Sequence, residues 1–195
     1  MKPIFILNTV MKPSVKVAFV CSLLSIGISL IFFFTGNSKL GYETSVFINL
    51  FLLLTAIATG VFLFKKAEGF AEKSFLEDIK MAMQGGVMFT ILVSGFIYIY
   101  HSKIDSSVID NKVQAYLDVI NSNVPDEATY IELQKDDATW KDKTYMDYIE
   151  NQEDQTRGFI SAGSLALMNA IIGVLLTIFF SIFTTVILRK VVLRN

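Results

Sequence analysis

Small and hydroxyl-bearing side chains recur every four residues through the last apolar stretch of this chain: Asn169, Gly173, Thr177, Ser181 and Thr185. An earlier stretch repeats the pattern with Gly86, Thr90, Ser94 and Tyr98, and shorter echoes pair Ala56 with Gly60, Thr55 with Thr59, and Ser25 with Ser29. On a helix each series occupies one face, because side chains four apart stand one above another. Two chemistries fit such a face. Small residues let helix backbones approach closely and share hydrogen bonds, which is how helices associate in lipid. Alternatively, Asn169, Thr177 and Thr90 line a polar path for a small solute. The amides Asn169, Asn49 and Gln84 could each bridge two helices or bind that solute.

The remaining reactive groups point to no reaction. His101 is the single histidine and precedes Asp105 by one helical turn. With no second histidine and no nearby cysteine, a zinc site lacks ligands, and the imidazole is expected to snorkel at the mouth of the third apolar stretch. The acid pairs Asp126-Glu127, Asp136-Asp137 and Glu153-Asp154 lack the alternating oxygen ligands and glycine of a calcium loop and read as a solvated face. Metalloprotease, nucleophile-elbow and phosphate-loop motifs are all missing from the sequence. The expectation is a chain with no catalytic residue, no bound cofactor and no metal site.

The elements that must carry these stripes are four runs without a charged side chain: Val17 to Phe34, Val46 to Phe64, Met81 to Tyr100 and Phe159 to Leu188. At about 1.5 Å of rise per helical residue they reach roughly 27 to 45 Å, enough to cross a hydrocarbon core of about 30 Å. Lipid offers backbone amides no water, so such runs satisfy themselves as helices. A composition with 53% hydrophobic and 18% charged residues suits a membrane protein better than a soluble domain. The predicted fold is all-α, an integral membrane four-helix bundle with a small helical insertion between spans three and four. The first run resembles a signal-peptide core, but it is longer than the usual ~7–15 residues and Thr35-Gly36-Asn37 makes a poor cleavage site, so it is read as a retained span. Cys21 lies inside it as a buried, inert thiol; no lipoprotein cleavage pattern precedes it.

Charge orients the bundle. Residues 1–16 carry Lys2, Lys12 and Lys16 and no acid, and 189–195 carry Arg189, Lys190 and Arg194 and no acid. The connection 65–80 holds four lysines, Lys65, Lys66, Lys73 and Lys80, whereas 35–45 holds only Lys39. By the positive-inside rule both termini and the central connection are cytoplasmic, and 35–45 is a short external loop. The lysines of 65–80 would meet anionic headgroups. Segment 101–158 has thirteen acidic and six basic side chains, a net of −7, and is placed outside. That acidity also argues against nucleic acid as a partner. Met11-Lys12-Pro13 repeats Met1-Lys2-Pro3, so either methionine could start translation.

Within the insertion, Ser107 with Asp110 starts a helix on which Val108 or Ile109, Val113, Tyr116, Leu117 and Ile120 share a face, ending at Asn121-Ser122-Asn123. Pro125-Asp126-Glu127 begins a second helix to about Lys135. Trp140, Tyr145, Met146, Tyr148 and Ile149 mark a third, which begins between Thr139 and Lys143 and runs into the last span with Gly158 as its weak point. These stripes pack on one another, on the bilayer or on a neighbour. Ser74 with Glu77 forms a capping box at the start of the third helix, after a break at Gly69.

The start Met11-Lys12-Pro13-Ser14-Val15-Lys16, the Ser74-Phe75 entry to the Gly85-Gly86 span, and the Tyr98-Ile99-Tyr100 exit followed by Lys103-Ile104-Asp105 stand in that order. With the closing Ile171-Ile172-Gly173 span and Ile187-Leu188-Arg189-Lys190, they resemble a domain-of-unknown-function family of four-span bacterial inner-membrane proteins. Prolines common in that family after the third span and before the fourth are replaced here by Ile104-Asp105-Ser106-Ser107 and Ser161-Ala162-Gly163. The resemblance implies a bacterial inner-membrane location and brings no established activity. The expected function is a non-enzymatic component of the cell envelope that binds itself or an envelope protein through 101–158; the alternative is a carrier or channel component for a small solute or ion.

Overall fold

The computed structural model describes residues 11–71, 74–136 and 138–191. Lys2, Lys73, Asp137, Arg194 and the question of Met1 as the start lie outside the described residues. Two compact units divide the chain, one formed by residues up to Tyr98 together with those from Ala166, the other by Ile99–Leu165.

The first unit contains three helices and most of a fourth: α1 (Pro13–Phe34), α2 (Ser38–Ala67), α3 (Phe75–Ile99) and, from Ala166 onward, α7 (Ala162–Val191). Pro13 sits in the first turn of α1, where its missing N–H costs nothing. Gly36, at φ 71°, ends the helix in the left-handed conformation, with its N–H donating to Phe33 O. Only residues 35–37 separate α1 from α2, so the external loop expected at 35–45 is mostly helix. Its apolar and small residues continue the pattern of the second span, and three residues suffice for an antiparallel pair. The capping box at α3 is present: Ser74 Oγ accepts from Glu77 N and Glu77 Oε2 accepts from Ser74 N, both at 3.2 Å.

All four helices contribute to one core, with Ala18 and Cys21 from α1, Ala56 and Ile57 from α2, Ala82 and Phe89 from α3, and Leu188 from α7. Large apolar side chains cover the outside. Phe47 is 73% exposed, Phe51 69% and Phe179 62%, an apolar surface that water would not tolerate and lipid would cover. Among the described residues, four helices are long and apolar enough to cross a bilayer.

The second unit begins with a π-helical turn, Tyr100–Ile104, which continues directly from α3. Then come α4 (Ser107–Asn123), α5 (Glu127–Asp136), a 3₁₀ turn at Ala138–Trp140, and α6 (Tyr145–Phe159). Val124, Tyr130, Trp140 and Tyr148 are buried together, backed by Ile120, Leu133, Tyr145 and Ile149. Several expected details differ. Ser106, rather than Ser107, is the N-cap residue of α4, and just before it Asp105 Oδ1 accepts from Ser107 N at 3.0 Å. Pro125 precedes the α5 cap instead of lying in the first turn. Thr144 and Asp147 form a capping box that delays α6 to Tyr145. The helix breaks after Phe159, at Ile160–Ser161, while Gly158 stays helical. Met146 and Tyr116, expected on the apolar faces, point outward, 72% and 55% exposed.

Candidate functional site

The stripes of α3 and α7 face each other in one antiparallel register. At one level Asn169 Nδ2 donates to Ser94 Oγ at 2.8 Å. One turn along, a Cβ added to Gly173 would stand 2.6 Å from Thr90 Cγ2; a turn further, one on Gly86 would overlap Thr177 Cγ2. Thr177, Ser181 and Thr185 are completely buried and Thr90 nearly so. Their four hydroxyls have no hydrogen-bond partner among the described residues. Glycine opposite threonine at two successive levels brings the backbones so close that not even a methyl group fits. The seam is solid there.

Both stripes extend into charge, that of α7 by one four-residue step and that of α3 by two. Arg189 follows Thr185 by four residues, and Asp78 precedes Ala82 by four. Arg189 donates from Nη2 and Nε to Asp78 Oδ2, at 2.8 and 3.0 Å. Lys65, in the last turn of α2, pairs with Asp78 Oδ1 at 2.7 Å. Lys65 and Asp78 are each 1% exposed, and Arg189 is 31% exposed. The Lys65 ammonium also donates to Ala71 O at 3.1 Å, and its backbone carbonyl accepts from Phe70 N at 2.8 Å. Lys65 thus gathers the α2–α3 turn, in which Gly69 and Phe70 both have positive φ. The guanidinium of Arg189 lies 5.5 Å from the Phe75 ring.

This cluster corrects the reading of Lys65 as a headgroup contact: the ammonium is turned into protein. The uncharged runs are indeed free of charge, but counting them hid three charged residues just beyond their ends. The signal was available, since one further four-residue step from Thr185 reaches Arg189 and two from Gly86, through Ala82, reach Asp78. Ser94 stands sixteen residues after Asp78, a rise of roughly 24 Å, most of a hydrocarbon core. A polar seam therefore runs through the α3–α7 interface, with an ion pair at one end and an amide–hydroxyl bond at the other.

The other candidates lie elsewhere. Asn49 accepts from Ser25 Oγ across α1 and α2, and Gln84 Oε1 accepts from Lys12 Nζ at 3.2 Å. Ser14 packs against Gly60 and Gly85. His101 does not snorkel: it is 4% exposed, with Nδ1 3.2 Å from Asp105 O and its ring edge-on to Tyr100. The π-turn folds it inward. No group of three His, Cys, Asp or Glu side chains suited to a metal occurs among the described residues.

A family model described as a protein of unknown function (DUF4199) matches residues 16–190. No curated protein and no solved structure matches the chain.

Proposed function

The chain belongs to the DUF4199 family, whose description names no activity, and on that premise we propose a non-enzymatic membrane component that holds a helical docking module at the bilayer. The observation that carries this reading is how the membrane unit uses its polar groups. Lys65, Asp78 and Arg189 are tied to one another, Asn169 to Ser94, and Asn49 to Ser25. Each bond links two helices. Groups spent on fixing a register are not lining a lumen, and the glycine–threonine contacts leave no bore. The insertion, by contrast, has its own aromatic core and an acidic surface, and its exposed Tyr116, Val119, Ile131 and Met146 offer apolar contact points to a partner.

In this reading the chain sits in the bacterial inner membrane with both termini in the cytoplasm. Support comes from the end of the first unit where α1 and α3 start and α2 and α7 finish: Lys12, Lys16, Lys65, Lys66, Lys80, Arg189 and Lys190 stand against Glu68, Glu77 and Asp78. The partner is an envelope protein or a second copy of this chain. A photo-crosslinker placed at Tyr116 in native membranes is expected to yield one discrete adduct. A chain that remains uncrosslinked and monomeric refutes the proposal.

The buried, unpartnered hydroxyls of Thr90, Thr177, Ser181 and Thr185 favour a second reading, a carrier or channel component. Solute flux in proteoliposomes that disappears in Asn169→Leu or Thr90→Val, with folding intact, would select it.

A further inference from the structure

Lys12, Glu77, Lys80, Met81 and Gln84 line an open recess of about 230 Å³ between the start of α1 and the first turns of α3. We propose that this recess binds the phosphodiester headgroup of one anionic phospholipid, whose acyl chains lie along the neighbouring apolar spans. Sites for whole drug-sized molecules take about 300–1,000 Å³, so a recess of this size suits one end of a molecule.

The donors are in place. Lys12 is the N-cap residue of α1, a helix with no acid in its first turn and no side-chain cap, so its positive dipole end is uncompensated. Its ammonium bonds Gln84 Oε1 at 3.2 Å, which holds it at the rim. The Gln84 Nε2 and the Lys80 ammonium make no bond among the described residues, leaving both to an incoming acceptor. Glu77 is the one acid in the lining, and its carboxylate is engaged by the Ser74 amide at 3.2 Å. Two ammonium groups against one carboxylate leave a single positive charge, matching the single negative charge of a phosphodiester. Met81 supplies an apolar wall, and α3 passes from it straight into its apolar run. A free phosphate gains nothing from that wall, whereas a glycerol ester does. The site is independent of whether the insertion docks a partner.

The test uses the full chain in detergent, titrated with phosphatidylglycerol, with phosphatidylcholine of the same acyl chains, and with inorganic phosphate. Phosphatidylglycerol is expected to raise Tm and to remain as one adduct in native mass spectra. The Lys12→Gln, Lys80→Gln double variant should weaken that effect about thirtyfold, the expectation for two interfacial lysines. Lys39→Gln, at the other end of α2, should leave it unchanged. Equal protection by phosphatidylcholine, protection reproduced by inorganic phosphate, or retention of the lipid adduct by the double variant each overturns the proposal. Adduct counting keeps the test open should the double variant be less stable.

Discussion

Asp78 and Arg189 lie 111 residues apart in sequence and meet through two N–H donors on one carboxylate oxygen, at 2.8 and 3.0 Å. Because Lys65 occupies the other oxygen, a single buried carboxylate joins α2, α3 and α7. The stripes alone repeat every four residues, so α7 could slide one turn along α3 and meet glycine or hydroxyl groups again. The ion pair and the Ser94–Asn169 bond each occur once, and they single out one register. Buried polar groups serve such a registry role at some cost in stability.

Removing the carboxylate alone should therefore be worse than removing both of the fully buried charges. Asp78→Ala leaves Lys65 buried without its counter-ion, at an expected cost of about 3–5 kcal/mol. Arg189→Gln should cost less, since that side chain is partly exposed. The combined Lys65→Met, Asp78→Leu variant should recover much of the loss. Thermal unfolding in detergent, tracked by circular dichroism, would rank the three. If Asp78→Ala unfolds no earlier than wild type, the cluster does not stabilise the bundle.

Gly86→Ala and Gly173→Ala should force α3 and α7 apart, since each new methyl would meet a β-branched threonine that cannot rotate away. Overpacking of this kind costs about 1–3 kcal/mol. Gly95→Ala has open space and should be neutral or stabilising, by up to ~1 kcal/mol from helix propensity. Adding Thr177→Ala to Gly86→Ala should restore part of the loss; no restoration would mean that the contact with Thr177 is not the cause.

How much of this was legible follows from what each residue type signals by itself. Uncharged runs of about a hydrocarbon core's thickness or more admit one solution, so four spans could be read directly, and Ser74 with Glu77 marked the start of α3 because a capping box is local. Lys65 was misread because a lysine at the end of a span ordinarily reaches headgroups. What turns it inward is Asp78 on another helix, a relationship that local pattern does not carry. His101 was misread for a similar reason: the π-turn at Tyr100–Ile104 has no sequence signature, yet it decides which way the imidazole faces. The four-residue stripes named the faces that meet, but not their register.

The start of α5 should depend on acid. Asp126 Oδ1 accepts from both the amide and the hydroxyl of Thr129, each at 2.8 Å, and these bonds hold its carboxyl below the usual range. A depressed folded pKa means that the stabilisation is complete above the ordinary aspartate value and is lost as pH falls through the lowered one. Hydrogen exchange of the first α5 amides should accelerate, relative to the intrinsic rate, only at that acid end. Asp126→Asn keeps a capping oxygen but cannot titrate, so its relative protection should be flat with pH. An unchanged acid dependence in Asp126→Asn would assign the effect to another group.

Tyr130 offers the sharpest test of the core in the second unit. It is 1% exposed, its ring centroid lies 5.4 Å from that of Tyr148, and its hydroxyl donates to Trp140 O at 3.3 Å and Lys143 O at 3.0 Å. Gln134 Nε2 donates to the same two carbonyls, at 3.0 and 2.8 Å. Tyr130→Phe therefore removes a donor without orphaning either acceptor, and should cost only about 0.5–1.5 kcal/mol. Tyr130→Ala also empties the core and should cost about 3–5 kcal/mol. Gln134→Ala alone should again be mild, because Tyr130 still serves both carbonyls. Combined with Tyr130→Phe it should cost more than the two single losses together, since Lys143 O then loses both donors, while Trp140 O keeps only the Lys143 amide at 3.1 Å. Trp140 is the chain's one tryptophan and sits in this cluster, so its fluorescence during unfolding reports on this unit. Strictly additive losses would mean that the two donors do not back each other up.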